Sequence, residues 1–79
     1  MKIEFVLYAS LTQFVSGSVA GKPITLEIPD KATVNHVLHM MAIPSDMALI
    51  LLINGRSGTK EHELSEGDRL AIFPPIAGG

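Results

Sequence analysis

The sequence has no cysteine. No disulfide can staple its fold, and thiolate catalysis or cysteine-based zinc binding by this chain is excluded. A small domain without disulfides fits a reducing compartment, so a cytoplasmic location is expected. Basic residues are few: Lys and Arg total six, at Lys2, Lys22, Lys31, Arg56, Lys60 and Arg69. They are scattered, and the formal net charge is −2. No basic stripe exists to follow a phosphate backbone, which argues against a nucleic-acid partner. No apolar run approaches the roughly 20 residues that span a bilayer, so no membrane partner is expected. The acidic residue in Met1-Lys2-Ile3-Glu4-Phe5 argues against a signal peptide. A glycine-rich phosphate loop is also missing; Ser57-Gly58-Thr59 lacks the full pattern and reads as a turn.

What is present is apolar. Hydrophobic residues make up 47% of the 79, which favours a folded chain over a disordered one. The length fits one domain with a modest core. The surplus of apolar residues leaves some free to face a partner.

Residues Lys2 to Tyr8 alternate with period two, Ile3, Phe5 and Leu7 against Lys2, Glu4, Val6 and Tyr8, which predicts a strand. Leu11, Phe14 and Val15 have helical spacing, enough for a turn or two of helix before Gly17 and Gly21. Pro23 to Pro29 holds a second strand, with the prolines at its ends. The helix is placed at Lys31 to Met41, where Val34, Val37, Leu38 and Met41 form one apolar stripe. Thr33 is its expected N-cap, and Pro44 stops it. The continuous apolar run Met47 to Ile53 reads as a buried strand, followed by the tight-turn pair Asn54-Gly55. A weak segment spans Lys60 to Leu64, and Arg69 to Phe73 is the last strand after Glu66-Gly67-Asp68.

One helix must then cover one face of a small mixed sheet, which makes the fold α+β. A β-grasp (ubiquitin-like) arrangement is the simplest topology with this order: four to five strands, one main helix, and the first and last strands parallel at the centre. The domain is expected to span residues 1–73, with an extended tail over 74–79.

The tail carries its own signal. Pro74-Pro75 fixes two φ angles and favours an extended path away from the body. Ile76-Ala77 follows, then Gly78-Gly79. Without Cβ atoms, those glycines fit a channel too narrow for other residues. Terminal glycines are also common in frayed chain ends, so the physics alone leaves both readings open.

The stretch Gly67-Asp68-Arg69-Leu70-Ala71-Ile72-Phe73-Pro74-Pro75-Ile76-Ala77-Gly78-Gly79 resembles the C-terminal signature of the molybdopterin synthase small subunit. That subunit belongs to a sulfur-carrier family (the MoaD/ThiS type) that also includes the thiamin sulfur carrier. Ile53-Asn54-Gly55 is similar to the family's turn after the third strand, and Ala32-Thr33-Val34 to its helix start. The double proline leans toward the molybdopterin branch. Gln13, Asn35, His36 and His39 stand where relatives often carry acidic residues and arginines.

The resemblance implies a chemistry centred on the carboxylate of Gly79. An E1-like activating enzyme adenylates it with ATP, and a sulfur donor protein then displaces AMP to leave a thiocarboxylate. The molybdopterin synthase large subunit takes the tail into its active site, where the sulfur is used for the dithiolene. The carrier itself is a non-catalytic subunit that binds no cofactor. Gly78, Ala77, Ile76, Pro75 and Pro74 give the tail access to both partners. Alternatives are a carrier for another pathway, such as thiamin or an amino acid, a ubiquitin-like modifier conjugated through Gly79, and a binding domain with an inert tail.

Strand parity predicts a docking surface. If Ile3, Phe5, Leu7, Leu70 and Ile72 face the helix, then Val6, Tyr8, Ala71 and Phe73 share the other face near the root of the tail. One parity of the third strand joins them, either Ile50 and Leu52 or Leu49 and Leu51. His36, His39 and His62 read as surface residues, with no carboxylate at a metal-ligand spacing, so no metal site is expected. Glu61, Glu63 and Glu66 read as a solvated acidic edge.

Overall fold

The structure is a computed structural model that describes residues 1–15, 17, 19–44 and 49–74. Its elements are β1 (Lys2–Leu7), a 3-10 helix (Ala9–Phe14), β2 (Ile24–Glu27), α1 (Val34–Met40), β3 (Ile50–Ile53), β4 (Arg56–Ser57) and β5 (Arg69–Phe73). The strands form one sheet in the order β2-β1-β5-β3-β4. β1 and β5 are parallel, in register from Glu4↔Arg69 to Leu7↔Ile72. The neighbours β2 and β3 pair antiparallel with them. This is the expected α+β, β-grasp architecture, with the first and last strands at the centre.

The core lies between the sheet and α1. Ile3, Phe5 and Leu7 of β1, Leu51 and Ile53 of β3, and Leu70 and Ile72 of β5 bury one face of the sheet. Val34, Val37 and Leu38 of α1 cover it, together with Leu11, Ile28, Ile43 and Leu64. The period-two and period-3.6 stripes of the sequence therefore meet as two apolar surfaces.

The helix begins at Val34, where its apolar stripe and expected N-cap put it, and not at Lys31, where its expected range starts. Lys31 has φ 66° and closes a turn in which the Ala32 amide donates to the Pro29 carbonyl at 3.2 Å. A residue in the left-handed region cannot start a right-handed helix. Thr33 is the N-cap, its hydroxyl oxygen accepting from the His36 amide at 3.2 Å. The first two amides of the helix, Val34 and Asn35, donate to the carbonyls of His62 and Lys60. This explains the segment Lys60 to Leu64. It makes one bridge, Thr33↔Glu63, and its carbonyls satisfy helix donors that would otherwise lack partners.

Two further boundaries shift for local reasons. β3 starts at Ile50, opposite Phe73. β5 ends there because Pro74 has no amide to extend the ladder. Of the apolar run expected as strand, Leu49 stands just outside β3, and Met47 and Ala48 lie outside the described residues. After β3, Asn54 (φ 53°) and Gly55 (φ 82°) form a two-residue hairpin turn whose positive φ values match the strand twist.

The C-terminus of α1 closes with a Schellman motif. The Ile43 amide donates to the Leu38 carbonyl at 2.9 Å, and the Ala42 amide to that of His39 at 3.1 Å. Ala42 sits at φ 57°, where a Cβ is strained. Ala42→Gly is therefore expected to stabilise the domain by about 1 kcal/mol, the relief of strain exceeding the added flexibility of the unfolded chain. A urea unfolding midpoint that fails to rise would contradict this account of the helix end.

Candidate functional site

The candidate site is the helix-free face of the sheet at the end where β5 leaves it. The register assigns side chains to that face. Val6 stands beside Ala71, Ala71 beside Leu52, and Phe73 beside Ile50. This settles the parity of the third strand: Ile50 and Leu52 join the patch, while Leu51 faces the core. Toward the other end of the same face, Glu4 pairs with Arg69 and Thr25, and Lys2 with Glu27. One face is thus apolar where the tail begins and charged where β5 begins.

The expected docking residues do not contribute equally. Tyr8, Ala71, Phe73, Leu52 and Pro74 are half-buried. Ile50 is 40% exposed, one of the large hydrophobic side chains left most open to solvent. Val6 departs from expectation. It turns to this face by register, yet its exposure is 0%. β1 has a strand on each side, and Val6 lies in its interior. Val6 is therefore the floor of the patch and offers no surface to a partner.

At the rim, the rings of Tyr8 and Phe73 stack, with centroids 4.2 Å apart and planes at 7°. The parallel register creates this pair. The Tyr8 amide donates to the Ile72 carbonyl at 3.2 Å, carrying the β1–β5 ladder one residue past β1. Tyr8 and Phe73 then emerge side by side. Parity placed both rings on one face; only the register shows that they touch.

Pro74 is the last described residue. Pro75, Ile76, Ala77, Gly78 and Gly79, to which the sequence assigns the chemistry, lie outside the described residues. His36, His39 and His62 are exposed. Among the described residues, no three His, Asp or Glu side chains gather as metal ligands. A shallow polar concavity lies at the far end of β5, lined by Asn54, Arg56, Ser57, His62, Glu63, Ser65 and Asp68. Its groups are largely engaged in structure. The Asn54 side-chain amide donates to Asp68 at 2.9 Å, the Arg69 amide donates to the Asn54 side-chain oxygen at 2.9 Å, and the Ser65 amide donates to Asp68 at 2.8 Å. This end locks turns together, whereas the tail end is an apolar platform suited to docking. No helix of the described residues is long and apolar enough to cross a membrane.

Comparison with known proteins agrees with this geometry. A family described as Mut7-C ubiquitin matches residues 1–77. SAMP1 of Haloferax volcanii, a small archaeal modifier protein, is 26% identical over 100% of both chains, with a TM-score of 0.74. A putative molybdopterin converting factor subunit 1 of Pyrococcus furiosus shares the fold at 21% identity, covering 96% of this chain and 99% of its own, with a TM-score of 0.73. So does a chain from the complex of molybdopterin-converting factor subunits 1 and 2 of Helicobacter pylori, at 15% identity over 100% of both chains and a TM-score of 0.60. No curated protein sequence matches the chain. The β-grasp fold expected from the order of elements is thus shared with these proteins.

The distinction between floor and rim is measurable. Val6→Ala is expected to cost about 2 kcal/mol of unfolding free energy, as buried truncations do. Ile50→Ala, at an open position, is expected to stay within about 0.5 kcal/mol of the parent. Equal costs in chemical denaturation would contradict the assignment.

Proposed function

This chain belongs to the Mut7-C ubiquitin family, and we propose that it is a sulfur carrier working through the carboxylate of Gly79. The observation that carries the reading is the continuity of three features: a central strand, an apolar face, and a Phe73-Pro74-Pro75 exit toward Gly78-Gly79. In the proposed cycle, an E1-like enzyme joins the Gly79 carboxylate to AMP with release of pyrophosphate. A sulfur donor then displaces AMP, leaving a thiocarboxylate. Ile76, Ala77 and Gly78 pass through the narrow entrance of each partner, and Phe73 and Ala71, with Ile50 and Leu52, form the docking platform, against whose Phe73 ring Tyr8 stacks. The ATP site and the acid–base groups belong to the partners. The Helicobacter pylori relative is in complex with a second subunit. By analogy, the receiving partner here is a molybdopterin synthase large subunit, and the sulfur goes to the dithiolene.

A second reading has its own support. The likeness to SAMP1 favours a ubiquitin-like modifier, in which activated Gly79 forms an isopeptide bond with a target lysine. Both readings share adenylation and differ in the nucleophile that follows.

Intact mass spectrometry after co-expression with the activating enzyme separates them. A carrier gains the mass difference of sulfur for oxygen at Gly79; a modifier appears in higher-mass conjugates. Neither change would leave an inert tail. One residue added after Gly79 is expected to abolish activation, since the reacting carboxylate is displaced. Phe73→Glu is expected to weaken the complex with either partner by about tenfold or more while native amide dispersion in NMR spectra persists. Unchanged affinity would remove the docking platform from the proposal.

A further inference from the structure

Beyond Phe73 the chain has no backbone amide to offer until Ile76, because Pro74 and Pro75 lack one. Neither proline can therefore donate a ladder hydrogen bond to steer the start of the tail. Its direction is inherited from Phe73. A proline following Phe73 confines that residue to extended backbone conformations, and each proline fixes its own φ. The orientation of Phe73 is thus passed along a stiff segment to whatever comes after it.

Phe73 is held in two ways. Its backbone pairs with Ile50 of β3, and its ring lies against Tyr8 at 4.2 Å and 7°. β3 begins at Ile50, so the backbone pairing is at its last position there. Tyr8 is the better-braced partner. Its amide bonds the Ile72 carbonyl. Nearby runs the backbone of Gly21, whose amide donates to the Leu7 carbonyl at 2.9 Å. A Cβ at Gly21 would stand 3.6 Å from Tyr8 Cε1, so the glycine backbone passes close beside the ring. Gly21 has φ +77°, a conformation that favours glycine over any side chain.

We infer that Tyr8 is a positioning residue for the tail: anchored by its amide on the Ile72 carbonyl, its ring clamps Phe73 and so sets the direction in which Pro74 leaves the sheet. Docking and positioning are separable tasks. The exposed parts of Ile50, Leu52, Ala71 and Phe73 give affinity for a partner. The Tyr8–Phe73 stack ensures that a docked carrier presents its tail at the partner's entrance. This rests on the reading above in which Gly79 is adenylated.

The two tasks affect different kinetic constants. Loss of docking raises KM; loss of positioning lowers turnover at saturating carrier. Tyr8→Leu keeps an apolar side chain but removes the stack. Its kcat for carrier-dependent ATP–pyrophosphate exchange by the source organism's E1-like enzyme is expected to fall about fivefold, the worth of one aromatic stack, with KM within about twofold. Tyr8→Phe retains the ring and is expected to match the parent in both. A Tyr8→Leu chain with raised KM and unchanged kcat would overturn the inference. A second measurement needs no enzyme: the 15N order parameter of the Phe73 amide is expected to fall in Tyr8→Leu and to hold in Tyr8→Phe. An unchanged order parameter in Tyr8→Leu would also overturn it. If the parent itself is never adenylated, the functional reading fails, while the order parameter still decides whether Tyr8 clamps Phe73.

Discussion

The parallel pairing of β1 with β5 brings the two most distant strands of the chain together at the centre of the sheet. Its register decides which residues share each face. With Phe5 beside Leu70 and Leu7 beside Ile72, the large apolar residues of both strands turn toward α1. The same register turns Val6 and Ala71 the other way and carries Tyr8 alongside Phe73. A slip of one residue would send core side chains to solvent and dismantle the platform beneath the tail. The fold and the candidate site therefore depend on one interaction.

That register is fixed at the far end of β5, away from the tail. The Lys2 amide donates to Glu66, the Gly67 amide to the Lys2 carbonyl, and the Glu4 amide to the Asp68 carbonyl. Asn54 and Asp68 bind the β3–β4 turn to the turn before β5. Side chains that accept from backbone amides at a defined spacing select one alignment among several that burial alone would tolerate. The polar concavity there is the visible side of this fastening. It frees the opposite end of the sheet from structural duties, which is why half-buried aromatic rings are tolerated there.

Much of this was legible in the sequence because the signals were periodic or chemically narrow. Alternation in Lys2–Leu7 and Arg69–Phe73, the stripe Val34, Val37 and Leu38, and the pair Asn54-Gly55 each have one physical reading. What escaped depended on other parts of the chain. Lys31 has helix-forming character, yet the turn after Pro29 holds it in the left-handed region. The segment Lys60 to Leu64 lacks a pattern because its carbonyls, not its side chains, do the capping. Parity placed Val6 on the platform but could not show that it would be fully buried there. The parity of Ile50 and Leu52 needed the register with β5, because a continuous apolar run carries no alternation to read. The tail motif was the most specific signal in the chain, and its end, from Pro75 to Gly79, lies outside the described residues.

The central position of β5 also bears on when the molecule can fold. Its partners β1 and β3 are made first, yet they are joined only through β5. Until residue 73 has been synthesised, the sheet is two separate fragments whose apolar edges lack partners. A chain cut short before β5 therefore cannot close its sheet. The strand that completes the sheet also carries Phe73, so the candidate site exists only once the fold is complete.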